Sequence, residues 1–343
     1  MSLAESLRLT LSRTQTRLSE DLLGPKGVIF ALGVLFALGA PFFLRQFHLS
    51  VTLQILIFIL AVSSWNLLAG YFGMFSFTHA ALYGVGAYAT VICAAEFGIP
   101  PVLALVIGGL LAGLFSLPIT IPSLRLSGSY LAMVTLAFAE IIHLAVITFR
   151  DVTNGPTGYT GFAPMFGGDR IVFYYFVLVL VLALLLVQYA LLVSRFGLIA
   201  RAIREAEDAA QMLGNDTYRH KLVGFFIGSS LAGVAGGLQA YNILIISPPM
   251  LELNQMIQFM AMSIIGGLGT FSGAIVGVIA VVGVAELLRG VIEQRLLIWG
   301  LLLMLVILFF PSGLAGSATQ RDILKQQFDG FTDRFSDTEE RDK

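Results

Sequence analysis

The sequence predicts an all-α, polytopic membrane protein with about ten transmembrane or re-entrant helices. Three observations predict it. Hydrophobic residues make up 57% of the 343-residue chain and charged residues 12%, against roughly 25% charged in a soluble domain. The apolar residues gather into long runs, and a run of about 20 residues crosses roughly 30 Å of hydrocarbon. Lys and Arg fall between those runs, mostly on one side.

The runs are 28–44, 50–69, 77–95, 101–121, 130–149, 171–193, 222–246, 255–270, 274–288 and 296–311. The pair 255–270 and 274–288 is short, which fits half-helices or one re-entrant pair. Residues 1–27 form a basic N-terminal segment with Arg8, Arg13, Arg17 and Lys26. No small-x-small cleavage site follows the first run, so that run reads as a retained span. The segment 28–316 is the transmembrane domain, and 317–343 is a polar, charged tail.

Ten spans with the N-terminus inside put 15 of the 20 Lys and Arg residues in the cytoplasm. Four precede the first span, one is Arg125, five lie in 195–221 and five in the tail. Both termini are therefore expected on the cytoplasmic side. The single Cys93 lies inside a span, so no intrachain disulfide can form.

Residues 195–221 separate two apolar runs yet hold nine charged residues. Ile199, Ala202, Ile203, Ala206, Ala210 and Leu213 follow helical spacing and form one apolar stripe. Gly214 stands where that helix stops. A charged amphipathic helix between spans is suited to touch something outside the bilayer.

Two Gly-rich breaks share the pattern G-x-x-G-x-F-S, at 70–76 and 266–272. Around the first stand Asn66, Ser76, His79, Gly84 and Gly86. The second holds Gly266, Gly267, Gly269 and Thr270. Paired Gly-interrupted segments mark a transport path in repeat-built transporters, while the simpler role is close helix packing. Glu140 and His143 lie i, i+3 near the middle of the fifth span. A carboxylate at mid-bilayer costs about 2.5–3.5 kcal/mol, so Glu140 should face protein or water, with the bundle interior expected. Asn66, Ser76, His79, Gly84, Glu140, His143, Gly266, Gly267, Gly269 and Thr270 are thus candidates for a translocation path. Thr153 to Gly161 form a shaped outer loop, rich in Gly and Pro.

Chemistry is absent from the pattern. There is no G-x-x-x-x-G-K-[ST] to cradle phosphates and no G-x-S-x-G. His48, His79, His143 and His220 are scattered. No catalytic, cofactor or metal site is expected, and no nucleic-acid partner. The chain reads as a channel, a secondary transporter, a structural subunit, or the permease half of a machine whose motor lies on another chain.

Ordered motifs then single out one family. They are Trp65-Asn66-Leu-Leu-x-Gly70-Tyr71, Ser76-Phe-x-His79-Ala-Ala-x-x-Gly84-x-Gly86-Ala-Tyr88 and Leu126-x-Gly128-x-Tyr130-x-Ala132-x-x-Thr135-Leu136-Ala137. Further along stand Ser194-Arg195-x-Gly197-x-x-x-Arg201-Ala202-Ile203-Arg204-Glu205, Gly266-Gly-x-Gly269-Thr270 and Phe310-Pro311-x-Gly313-Leu314. Over 50–316 the chain resembles the LivM-type permease subunit of branched-chain amino acid ABC transporters. The resemblance implies an importer in a bacterial-type inner membrane. Its partners would be a homologous second permease, two cytoplasmic ATP-binding subunits, a solute-binding protein outside and membrane lipid.

In that family a cytoplasmic loop with an E-A-A-x3-G core docks in a groove of the ATPase. Asp208-Ala209-Ala210-x3-Gly214 is similar to it, with Asp in place of Glu. The resemblance assigns ATPase coupling to Arg201, Arg204, Glu205, Glu207, Asp208, Ala209, Ala210 and Gly214. The outer loop departs from the family's frequent Thr-Gly-Gly, reading Thr153-Asn154-Gly155, and His143 stands where Arg is common. Relatives also carry urea and short amides, so those solutes remain alternatives. An ion-coupled secondary transporter or a passive channel is the rival class. The first would need ionisable residues in several spans, and the second would need no partner at 195–221.

Overall fold

The computed structural model describes residues 25–43, 46–124, 126, 128–287 and 313–314. The chain divides into two compact units, 1–259 and 260–343. Helices α1 (Pro25–Phe43), α2 (Gln46–Asn66), α3 (His79–Ala95), α4 (Pro101–Ser123), α5 (Ser129–Thr148) and α6 (Arg170–Val193) come first. After them come α7 (Arg195–Glu205), α8 (Glu207–Met212), α9 (Thr217–Ile243), α10 (Leu253–Gly266) and α11 (Phe271–Leu287). A helix lies over every expected apolar run up to residue 288, and 296–311 lies outside the described residues.

The expected count of about ten spans is not confirmed. Among the described residues, five helices are long and apolar enough to cross a membrane: α2 with its extension to Tyr71, α4, α5, α6 and α9. The count reaches six if α10 and α11, bent by 115° at their break, form one span. Helix α3 is apolar but only 17 residues long. It is short because part of its run is spent on a non-helical stretch before His79.

Sequence sets the helix ends. Pro101 occupies the first turn of α4, where its missing N–H costs nothing. Asp169 caps α6, its Oδ1 accepting from the amides of Ile171 and Val172 at 2.9 and 3.2 Å. Ser194 and Asp216 cap α7 and α9 in the same way.

The core of the first unit is the packing of α3, α4 and α9. It is close because glycine lets backbones meet, as small residues do between membrane helices. A Cβ on Gly86 would lie 2.2 Å from the Cα of Gly233, and one on Gly236 would lie 1.9 Å from the carbonyl oxygen of Tyr83. Helix α2 joins this core, with 78% of its apolar window buried within the chain, against 22% for α5. Buried polar groups pair off: Ser63 donates to Gln188 Oε1 at 3.0 Å, and Gln188 Nε2 returns a bond to the Ser63 carbonyl at 2.7 Å. That exchange fixes α2 against α6.

Residues 195–213 do not form the single helix expected. Ala206 is extended, with φ −155° and ψ 94°, and separates α7 from α8. The stripe changes with it. Gly197, Ala200, Ile203 and Ala210 are buried, while Ala202, Ala206 and Leu213 are exposed.

Candidate functional site

The first break begins where α2 changes pitch. Leu67–Tyr71 form a π-turn, fully buried. Such turns inside α-helices frequently mark functional positions. Gly73 comes next but one, with φ +72°, and the chain runs without helix to Thr78. This stretch has no ladder of its own, so side chains satisfy it. Trp65 Nε1 donates to the Ser76 carbonyl at 2.9 Å, and the Phe77 amide donates to Thr135 Oγ1 of α5 at 3.1 Å. The hydroxyls of Ser76 and Thr78 lie 2.8 Å apart.

His79 and Ser64 close the same nest, with Nε2 and Oγ 2.7 Å apart. Ser64 gives its hydroxyl proton to the Ala61 carbonyl at 2.7 Å. Ser76 and His79 thus line one buried nest with Ser64, Trp65 and Thr78, and Asn66 is buried as well. Gly84 serves another purpose. A Cβ there would lie 2.2 Å from Leu251 Cγ, in the buried turn Pro248–Leu251.

Glu140 does not face the interior of this chain. Its side chain is 60% exposed, and its partner is His143 Nδ1 at 3.7 Å on the same helix. The i, i+3 spacing is legible in sequence, but which side of α5 the bundle covers depends on packing. An exposed carboxylate in mid-span still requires protein or water opposite it.

The second break lies in the second unit. Gly266 ends α10 so close to α11 that a Cβ would meet the Gly273 carbonyl oxygen at 1.8 Å. Gly267 and Gly269 have φ of +122° and +77°. Thr270 Oγ1 donates to the Gly267 carbonyl at 2.8 Å and accepts from the Gly273 amide at 3.1 Å. These residues make a tight helical hairpin.

Helices α7 and α8 gather at the Tyr71 end of α2. The Arg201 guanidinium lies 5.4 Å from the centre of the Tyr71 ring. Arg204 Nη1 donates to the Gly70 carbonyl at 2.5 Å. Phe196 packs edge-on against Phe72 at 5.5 Å and stacks on His220. Glu207 receives Lys221 Nζ at 2.5 Å, with the lysine side chain only 9% exposed. Asp208 and Ala209 are exposed while Ala210 is 2% exposed, so α8 buries the second alanine and leaves the first bare. Gly214 has φ +81°, and its amide bonds the Gln211 carbonyl at 2.8 Å. Met212, not singled out by sequence, and Leu213, expected in the apolar stripe, are 87% and 81% exposed. Their signal is two large apolar residues at the tip of a charged helix.

Helix α3 runs from His79 to the far end, where Tyr159 donates a hydrogen bond to Glu96. That bond raises the Tyr159 phenol above its ordinary pKa. The loop 153–161 is shaped as expected, with Asn154, Gly155 and Gly158 at φ +60°, +58° and +71°. Its Tyr159–Thr160 pairs antiparallel with Ile245–Ile246, which sequence does not suggest.

A family model described as branched-chain amino acid transport system / permease component matches residues 47–311. The chain is 30% identical over 302 residues to the high-affinity branched-chain amino acid transport system permease protein LivM of Escherichia coli K12. That alignment covers 80% of this chain and 71% of the relative. It is 30% identical over 258 residues to a probable branched-chain amino acid transport permease protein LivH of Methanocaldococcus jannaschii, covering 68% and 80%. With Escherichia coli K12 LivH the identity is 26% over 299 residues, covering 80% and 96%. No solved structure matches the chain. The helical membrane fold, the ordered motifs and these matches together establish that the chain belongs to the family of permease components of branched-chain amino acid transport systems.

Proposed function

We propose that this chain is the permease subunit of an ABC importer moving branched-chain amino acids, or small solutes of similar chemistry, across the inner membrane. It hydrolyses no ATP itself. A homologous second permease completes the path, two cytoplasmic ATP-binding subunits drive it, and a solute-binding protein delivers from outside. Both termini and 195–221 face the cytoplasm, in keeping with the Lys and Arg bias.

The observation that carries this reading is α8. It presents Asp208 and Ala209, with Met212 and Leu213 bare at its tip. A short helix with a small residue and an apolar tip fits a groove on a partner. Glu205 flanks that surface, Gly214 ends it, and Ala210 fixes it from behind. The polar nest of Ser76 and His79, the buried Asn66, the α5 face with Glu140 and His143, and the Gly266–Thr270 hairpin are proposed as parts of the path and its supports.

Ala209→Trp and Gly214→Val test the reading in the assembled importer. A bulky indole keeps α8 out of a groove, and valine is strained at positive φ. Both variants are expected to insert, to lose ATPase co-purification and to abolish uptake. Wild-type uptake and co-purification for both would reject the docking assignment. Cysteine reporters at Gln211 and Thr157 in a Cys93→Ala background should label from opposite sides.

A further inference from the structure

The exposed side of α8 suits a partner, but the contacts of Arg204 point the other way. Arg204 reaches the Gly70 carbonyl at 2.5 Å, and its stem passes Gly73, where a Cβ would lie 3.1 Å from Arg204 Cγ. Gly70 belongs to the π-turn that ends α2. A wider turn leaves carbonyls without an α-helical partner, and a guanidinium is a strong donor for one of them. Arg201 over Tyr71 and Phe196 against Phe72 hold the next two residues of the chain. Phe72 is boxed in from behind as well, because a Cβ on Gly224 of α9 would lie 2.5 Å from its ring. So α7 grips the chain at the point where the membrane span gives way to the stretch leading to Ser76 and His79. On the other side, the Glu207–Lys221 pair holds α8 to α9.

We propose that Arg204 is a positioning residue of coupling. It bolts α7 to the π-turn of α2, so displacement of α7–α8 is delivered to the Gly70–Thr78 break and to the nest around His79. This rests on the importer reading but assigns Arg204 to its own chain, not to the ATPase surface. The consequence is a separation of functions. Loss of the Arg204 contact leaves the partner docked and hydrolysing, and the membrane break no longer moves with it.

The experiment uses the full importer in proteoliposomes, with binding protein and leucine as the probe solute. Arg204→Ala is compared with Arg204→Lys, which retains one donor, and with Arg219→Ala. Arg219 is 82% exposed and pairs only with Asp216 among the described contacts. For Arg204→Ala the expected result is wild-type ATPase co-purification, hydrolysis within about twofold, and transport per ATP down about tenfold. Arg204→Lys recovers part of the loss, and Arg219→Ala shows none. Should Arg204→Ala fail to reach the membrane, Arg204→Met keeps the stem over Gly73, removes only the donor and carries the same expectations. Unchanged transport per ATP overturns the proposal. Loss of co-purified ATPase together with transport also overturns it, because Arg204 would then be a docking residue. A wild-type chain that captures no ATPase would instead sink the importer reading, and the proposal with it.

Discussion

The two breaks share G-x-x-G-x-F-S and use it differently. The second glycine of the pattern does the same job in both, with φ +72° at Gly73 and +77° at Gly269. The next residue sets the path of the chain beyond the turn. At 270 it is Thr, whose Oγ1 accepts from the Gly273 amide at 3.1 Å and so starts α11 at Phe271. At 74 it is Met, which cannot cap. Its amide turns back to the Leu68 carbonyl at 3.0 Å, and helix does not resume until His79. One break is therefore a backbone-packed hairpin, and the other is an unwound stretch satisfied by side chains. A shared glycine spacing specifies a turn, while the capping residue specifies whether the turn is rigid or open.

The largest effect expected from this difference is at Gly266. Any side chain there meets the Gly273 carbonyl oxygen, which is backbone and cannot rotate away. Gly266→Val should prevent a monodisperse folded product, read by size-exclusion chromatography in detergent. Gly73→Ala should be milder. Its Cβ meets the flexible Arg204 stem, and the left-handed backbone costs about 1–2 kcal/mol without glycine. That variant should fold, with Tm lowered by a few degrees and uptake reduced, because it presses on the same arginine. If Gly266→Val behaves as wild type while Gly73→Ala does not fold, the roles of the two breaks are reversed.

The apolar runs are legible because the bilayer imposes length and apolarity on each one separately, and Pro101, Asp169 and Gly214 mark ends by local rules. The shaped loop at Thr153–Gly161 is legible for the same reason. What sequence hides is non-local. Ala206 is a strong helix former, yet it is extended here. The Glu207–Lys221 pair and the burial of Ala210 set α8 apart, and neither can be read from spacing. Arg204 looks like one more charge on a solvated face in sequence, and only the fold brings Gly70 beside it. An inward Glu140 assumes that a lone chain supplies its own lining. The low burial of α5 shows that most of its surface is left for other molecules or lipid.

The smallest effect sharpens the comparison most, because it isolates the cap. Thr270→Ala removes the acceptor for the Gly273 amide and the donor to the Gly267 carbonyl, leaving the glycines untouched. Losing an N-cap costs about 0.5–2 kcal/mol. Thr270→Ser keeps the hydroxyl and should restore most of that. Met74→Ala removes no hydrogen-bonding group from the first break, so it should show none of the cap signature. It loses only packing, since Met74 is 3% exposed. Thermal unfolding in detergent reads all three, and hydrogen exchange at residues 271–275 reads the cap directly. Faster exchange there in Thr270→Ala, reversed in Thr270→Ser, is the expected pattern. Equal exchange in the three variants would mean that the hairpin is held by Gly266, Gly273 and Gly277 alone, and the contrast between the breaks would then lie in helix packing and not in capping.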